Sequence, residues 1–202
     1  MKQTLSKILG IALLCGFFIY LLVTGIGDLT NKSDLKTVRL IGAAPILEVE
    51  HSINGLIPTG KDYYYIGLED QQDNVYIIKG SKKWFTQNFS SDYEPAKGDV
   101  AVITGLVKRV SDYDIRKELA SRASALEGAR LPLSAEYAIV VNYKTDAIIK
   151  LLLIVIMIVI GVCIYFGAYH KDVLDPRLSK ASLYVMLVLI IVWLVLLLRV
   201  VR

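Results

Sequence analysis

A chain of 202 residues can hold one domain or two small ones, and this one is 54% apolar with a mean hydropathy of +0.51, above the range of an ordinary soluble domain. Its net charge is +4, yet residues 27–146 carry 15 Lys or Arg against 17 Asp or Glu, a net of −2, so the basic excess lies elsewhere. That distribution excludes a basic nucleic-acid-binding domain. The only two cysteines, Cys15 and Cys163, fall in apolar stretches, which excludes a disulfide framework and a thiolate metal site.

Residues 1–7 form a short basic segment with Lys2 and Lys7, followed by an apolar run over 8–26. About 19 apolar residues suffice for a membrane span and exceed the usual core of a cleaved signal peptide. The run Leu13-Leu14-Cys15-Gly16 has Leu14 where a lipoprotein cleavage box needs a small residue, so an uncleaved signal anchor is expected. Ala12 and Gly16 have the small-xxx-small spacing of close helix pairs, which is also common in spans that pack against nothing.

Residues 27–36 read as a polar linker, and 37–146 as a β-rich domain. Within it, Ile46 to His51 alternates, with Leu47, Val49 and His51 on one face and Glu48 and Glu50 on the other. Tyr63 to Leu68 and Val75 to Lys79 are strand-like runs joined by the loop Gln71-Gln72-Asp73-Asn74, a hairpin pattern. Ser81 is placed to cap a short helix running to Phe89. Asp99 to Val110 is a long alternating strand with Gly105 inside it, a mark of a bulge or bend. Ser111 to Leu126 reads as a helix capped by Ser111, with Asp112 and Asp114 at its positive end, Ile115, Leu119 and Leu126 along one side, and Gly128 as its stop. Glu136 to Tyr143 is a last strand.

A second apolar run covers 147–168, with Lys150 one turn inside it, where a lysine can snorkel to the interface. The polar segment 169–180, broken by Pro176, turns the chain into a third run at 181–201. The basic flank residues are Lys2, Lys7, Lys150, Lys171, Arg177, Lys180, Arg199 and Arg202, suited to anionic headgroups. None of the three runs carries Asp, Glu, His or Arg near its middle, so a pore or carrier built from this chain alone is not expected. Lys2 and Lys7 on a short N-terminus favour N-inside, which places the domain outside the cytoplasm. Lys32, Lys36, Arg39 and Lys144 on the domain side argue for the reverse.

The expected fold is therefore an integral membrane protein with three transmembrane α-helices and a small β-rich α+β domain. Gly98-Asp99-Val100 through Val110 resembles the G-D-x-V-x-V-x-G-x-V strand of oligonucleotide/oligosaccharide-binding (OB) folds. That resemblance, over about 13 residues, implies an OB-like partly open barrel. A two-layer α+β sandwich is the alternative.

No phosphate-binding loop, dinucleotide fingerprint, HExxH or GxSxG motif is present. His51, on an apolar strand face, is expected to be packed and hydrogen-bonded, and His170 to anchor at the membrane boundary. Glu48/Glu50 and Glu69/Asp70/Asp73 could in principle serve acid–base or cation chemistry, and a solvated strand face and a loop explain them more simply. Asn31-Lys32-Ser33 and Asn88-Phe89-Ser90 fit a glycosylation acceptor pattern. No cofactor or metal is expected.

The most distinctive cluster is Tyr63, Tyr64 and Tyr65 with Lys82, Lys83, Trp84 and Phe85, which joins aromatics favoured at interfaces to two cations. It is the candidate interaction surface, with ordinary core and rim as the alternative. The expected role is a membrane-anchored accessory or scaffold protein whose domain binds a membrane-protein partner or a second copy. The alternatives are a membrane-bound enzyme using surface carboxylates and a non-conducting subunit of a transport complex. The bilayer is a partner and nucleic acid is not.

Overall fold

The computed structural model describes residues 2–53, 57–70, 74–125, 130–131, 133–169 and 176–200. In chain order its elements are α1 (Lys2–Thr30), β1 (Leu35–Ile53), β2 (Ile57–Glu69), β3 (Val75–Gly80), α2 (Lys82–Asn88), β4 (Ala101–Arg109), α3 (Tyr113–Ser124), β5 (Tyr137–Val140), α4 (Tyr143–Tyr169) and α5 (Pro176–Val200). They fall into two compact units, Asn31–Lys144 and a helical unit of Met1–Thr30 with Thr145–Arg202.

The unit Asn31–Lys144 is mixed α+β around a five-stranded sheet. Strands pair in the order β1-β2-β3-β5-β4, and β4 pairs in turn with the first part of β1, Leu35↔Leu106 through Leu40↔Ala101. All pairs are antiparallel except the short β3–β5 contact at Ile78↔Ile139 and Lys79↔Val140. The β2–β3 hairpin forms as expected, pairing Tyr63↔Gly80 through Leu68↔Val75, and is closed by the Glu69 N–H donating to the Asn74 carbonyl at 2.9 Å. Residues 71–73 of its loop lie outside the described residues.

β1 is much longer than the expected run from Ile46, and Pro45 explains why the sequence hid it. A proline and a Gly-Ala-Ala stretch read as a break. The strand accommodates them at register shifts between Leu40 and Gly42 and between Pro45 and Leu47, where a proline forfeits no ladder hydrogen bond. Those shifts also break the simple alternation. Val38, Leu40 and Ala43 face one core, whereas Ile46, Leu47 and Val49 pack against another. Gly105 is not a bulge, since its strand pairs in unbroken register. A Cβ there would come within 2.5 Å of Ile139 Cγ2 and 2.9 Å of the Val140 carbonyl, so glycine is required for the close approach of β5.

The two faces of the sheet bury separate cores. On one, Val38, Leu40, Ala43, Tyr65, Tyr76, Ile78, Phe89, Ile103 and Ile139 pack together, with Trp84 and Phe85 of α2 closing against them. On the other, α3 lays Leu119 over Tyr64, Ile77, Val110 and Ala138. The α3 cap is Asp112 rather than Ser111: its Oδ1 accepts from the N–H groups of Asp114 (2.8 Å) and Ile115 (3.1 Å). Arg116 and Arg122 donate to the carbonyls of Val110 and Ile46, fastening both ends of the helix to the strands. Leu126 and Gly128 lie outside the described residues.

The helical unit packs Leu21 of α1 against Ile149, Leu153 and Ile154 of α4, with Phe17, Trp193 and Leu196 around them. α1 continues through Thr30, so Gly27 and Asp28 are helical rather than linker. Asp28 is buried and accepts from Lys150 Nζ at 2.8 Å, so Lys150 has a partner on α1. Among the described residues, one helix segment, Tyr143–Cys163 of α4, is long and apolar enough to cross a membrane. Leu14–Thr30 and Tyr184–Leu198 are shorter apolar stretches.

Candidate functional site

β2 and α2 position the seven residues of the candidate interaction surface. A strand alternates its side chains, so Tyr64 and Tyr65 leave β2 on opposite faces. Both faces are covered. Tyr65 is 2% exposed within the first core, and Tyr64 is 3% exposed beneath α3. Burial, with help from nearby acidic groups, pushes both phenols up, Tyr65 to about 12 and Tyr64 further. Tyr63 is half-buried at the edge of the first core.

α2 exists because Ser81, in extended conformation, accepts from the Trp84 N–H at 3.1 Å and so satisfies the first turn. One side of this short helix then stacks on the sheet. The Tyr65 and Phe85 rings lie 4.4 Å apart and nearly parallel, Phe85 stacks on Phe89 at 5.4 Å, and Trp84 meets Phe89 edge-on at 6.1 Å. Gly80 makes room for this. A Cβ there would sit 2.7 Å from the Trp84 ring. The remaining side carries Lys82 and Lys83, both exposed. Of the seven residues, two tyrosines are thus core, three aromatics are half-buried, and the lysine pair stands on an aromatic base.

A charged strip crosses the neighbouring strands. Glu50 lies directly opposite Lys61 in the β1–β2 ladder, and Glu48 two residues along, so one ammonium bonds both carboxylates, Glu48 at 2.6 Å. Those hydrogen bonds push Lys61 well above the usual lysine range and hold Glu50 below the usual carboxylate range. The arrangement is a cross-strand lock. Two acids tied to one cation are poor material for a general-acid and general-base pair. On the other strand face, Asp62 accepts from His51 Nε2 at 3.0 Å and also pairs with Lys79, whose ammonium stands 5.7 Å from the centre of the Tyr64 ring. His51 is therefore partnered by Asp62 of β2, which also holds Lys79 of β3.

Sequence reading named His51, Glu48 and Glu50 and missed what joins them. Lys61, Asp62 and Lys79 carry that role, and counting back from the 71–74 turn pairs Tyr64 with Lys79, which was the available signal. Glu69, from the proposed acidic loop, accepts from Asn74 Nδ2 at 2.7 Å and the Tyr76 hydroxyl at 3.2 Å, while Asp70 faces Arg39 at 3.6 Å. Asp73 lies outside the described residues. No group of three or more His, Cys, Asp or Glu suited to a metal ion occurs among the described residues. Of the basic flank, Lys150 meets Asp28, Lys171 and Arg202 lie outside the described residues, and so do the side chains of Lys2, Lys7, Arg177, Lys180 and Arg199. His170 also lies outside them.

No family model, curated protein or solved structure matches the chain.

Proposed function

We propose that this chain is a membrane-anchored accessory or scaffold protein. Three helices, α1, α4 and α5, span the bilayer, and the β-rich unit sits outside the cytoplasm and binds a protein partner through the surface around α2. The observation that carries this reading is the α2 surface. A helix packed on the sheet through a cluster of four rings holds Lys82 and Lys83 in solvent, and with their backbone already fixed only the two side chains lose freedom when an acidic partner docks. Exposed apolar side chains along all three helices, among them Val23, Val155 and Val188, favour the lipid-spanning reading.

The OB-like reading of the β-rich unit draws support from its five strands, whose pairing order returns to β1. Such barrels take oligonucleotides on the face of strands 2 and 3, and here α3 lies over Tyr64 and Ile77 of that face. Together with the net −2 of residues 27–146, this favours a protein over a nucleic acid as the partner.

The test is in-cell crosslinking of the tagged full chain, mild-detergent capture and mass spectrometry. A stoichiometric partner, retained by Lys117→Glu on α3 and lost by the double substitution Lys82→Glu/Lys83→Glu, supports the proposal. Recovery of the chain alone, as a defined oligomer, overturns it.

A further inference from the structure

The helical unit holds a charge pair that the proposed role does not use. Asp28 is 9% exposed, the buried charged residue of the described part, and its carboxylate lies 2.8 Å from Lys150 Nζ. Lys150 stands about two turns inside the α4 segment that is long enough to cross a membrane. Ile149 beside it and Leu153, nearly one turn on, belong to the helix–helix core. Gly25, nearly one turn before Asp28, brings the α1 backbone against the root of that lysine: a Cβ at Gly25 would lie 3.4 Å from Lys150 Cβ and 3.2 Å from Leu151 Cδ2. The lysine stem is thereby directed along α1 to the carboxylate. Asp146, one turn earlier on α4, has contacts of its own, and Asp28 has a further one.

We infer that Asp28 and Lys150 form a clasp that couples the membrane insertion of α1 and α4. The inference rests on the proposal that both helices span the bilayer. A lysine inside an apolar helix strongly opposes insertion unless a partner compensates it, and the compensating group here sits on a different helix, separated by the whole β-rich unit. α4 is therefore stably inserted only when α1 is already in place and carries its acid. The two partners are unequal. Asp28 is two residues from the end of α1 and can reach water when Lys150 is removed, whereas Lys150 stranded by loss of Asp28 lies deeper in its helix.

The native Cys163, at the far end of the α4 segment, reports insertion in the full chain with Cys15→Ser, probed in isolated membranes with a membrane-impermeant maleimide. Little labelling is expected with the native pair. Asp28→Asn should raise the labelled fraction about tenfold, Lys150→Met less, and the double substitution Asp28→Asn/Lys150→Met should return it near the native level. The exchanged pair Asp28→Lys/Lys150→Asp should also restore protection. Equal labelling of all variants, or additive effects in the double variant, overturns the clasp. Alkaline extraction separates this from failure of the membrane reading. A native chain that is extracted and fully labelled contradicts the spans themselves, whereas one that stays in the pellet with unchanged labelling in Asp28→Asn contradicts the clasp alone.

Discussion

Leu119→Ala tests whether α3 is held by its docking or by its own propensity. Leu119 is fully buried at the centre of the second core, against Tyr64, Ile77, Val110 and Ala138. Truncation removes about three methylene equivalents, about 2.4 kcal/mol of transfer free energy at about 0.8 kcal/mol each, and partial collapse of the cavity brings the cost to about 3 kcal/mol. A 12-residue helix is marginal in isolation, so α3 has no independent stability with which to offset this loss. For a unit of about 110 residues, about 0.24 kcal/mol per degree of unfolding entropy turns that cost into a fall in midpoint of about 12 °C. The assay is thermal unfolding of the full chain in detergent with Trp193→Phe, which leaves Trp84 as the reporter from the β-rich unit. Lys117→Ala, exposed on the same helix, should shift the midpoint by less than about 2 °C. A fall of under about 4 °C for Leu119→Ala would refute the packing assigned to α3.

Two further outcomes follow from the same packing. Gly105→Ala should destabilise the β-rich unit by about 1–3 kcal/mol despite the entropic advantage of alanine, because its Cβ meets Ile139 and the Val140 backbone; a neutral or stabilising result in the same melt would contradict the close β4–β5 approach. The Tyr65 phenol, raised from 10.0 to about 12 chiefly by burial, stays neutral in the folded state while the unfolded chain releases its proton. The contribution of this group to stability should therefore be flat below pH 10 and fall between pH 10 and 12. Tyr65→Phe should shallow that fall, measured as unfolding midpoint against pH, and an unchanged slope would contradict the burial assigned to the phenol.

How much of this was legible beforehand varies with the physical range of the signal. The α2 cap, the β2–β3 hairpin and the β4 strand depend on local residue types, and Ser81, the 71–74 turn and the alternation after Asp99 announced them. The first half of β1 was not legible, because Pro45 and the glycine and alanines before it mimic a break that only cross-strand pairing with β2 and β4 repairs. The tyrosine run was legible as alternating, but the choice between core and surface was not, since the covers, α2 and α3, come from other segments of the chain. Lys150 likewise read as a residue free to snorkel. Its partner is 122 residues away, and nothing in the local pattern of α4 signals it.

The role at the α2 surface is tested most directly by photo-crosslinking from a single site in whole cells, with a photoreactive residue placed at Lys82 or Lys83, or at Lys117 of α3 as the comparison. The account predicts one adduct of constant mass from positions 82 and 83 and none from 117. Equal adducts from all three positions, or none from any, would contradict it.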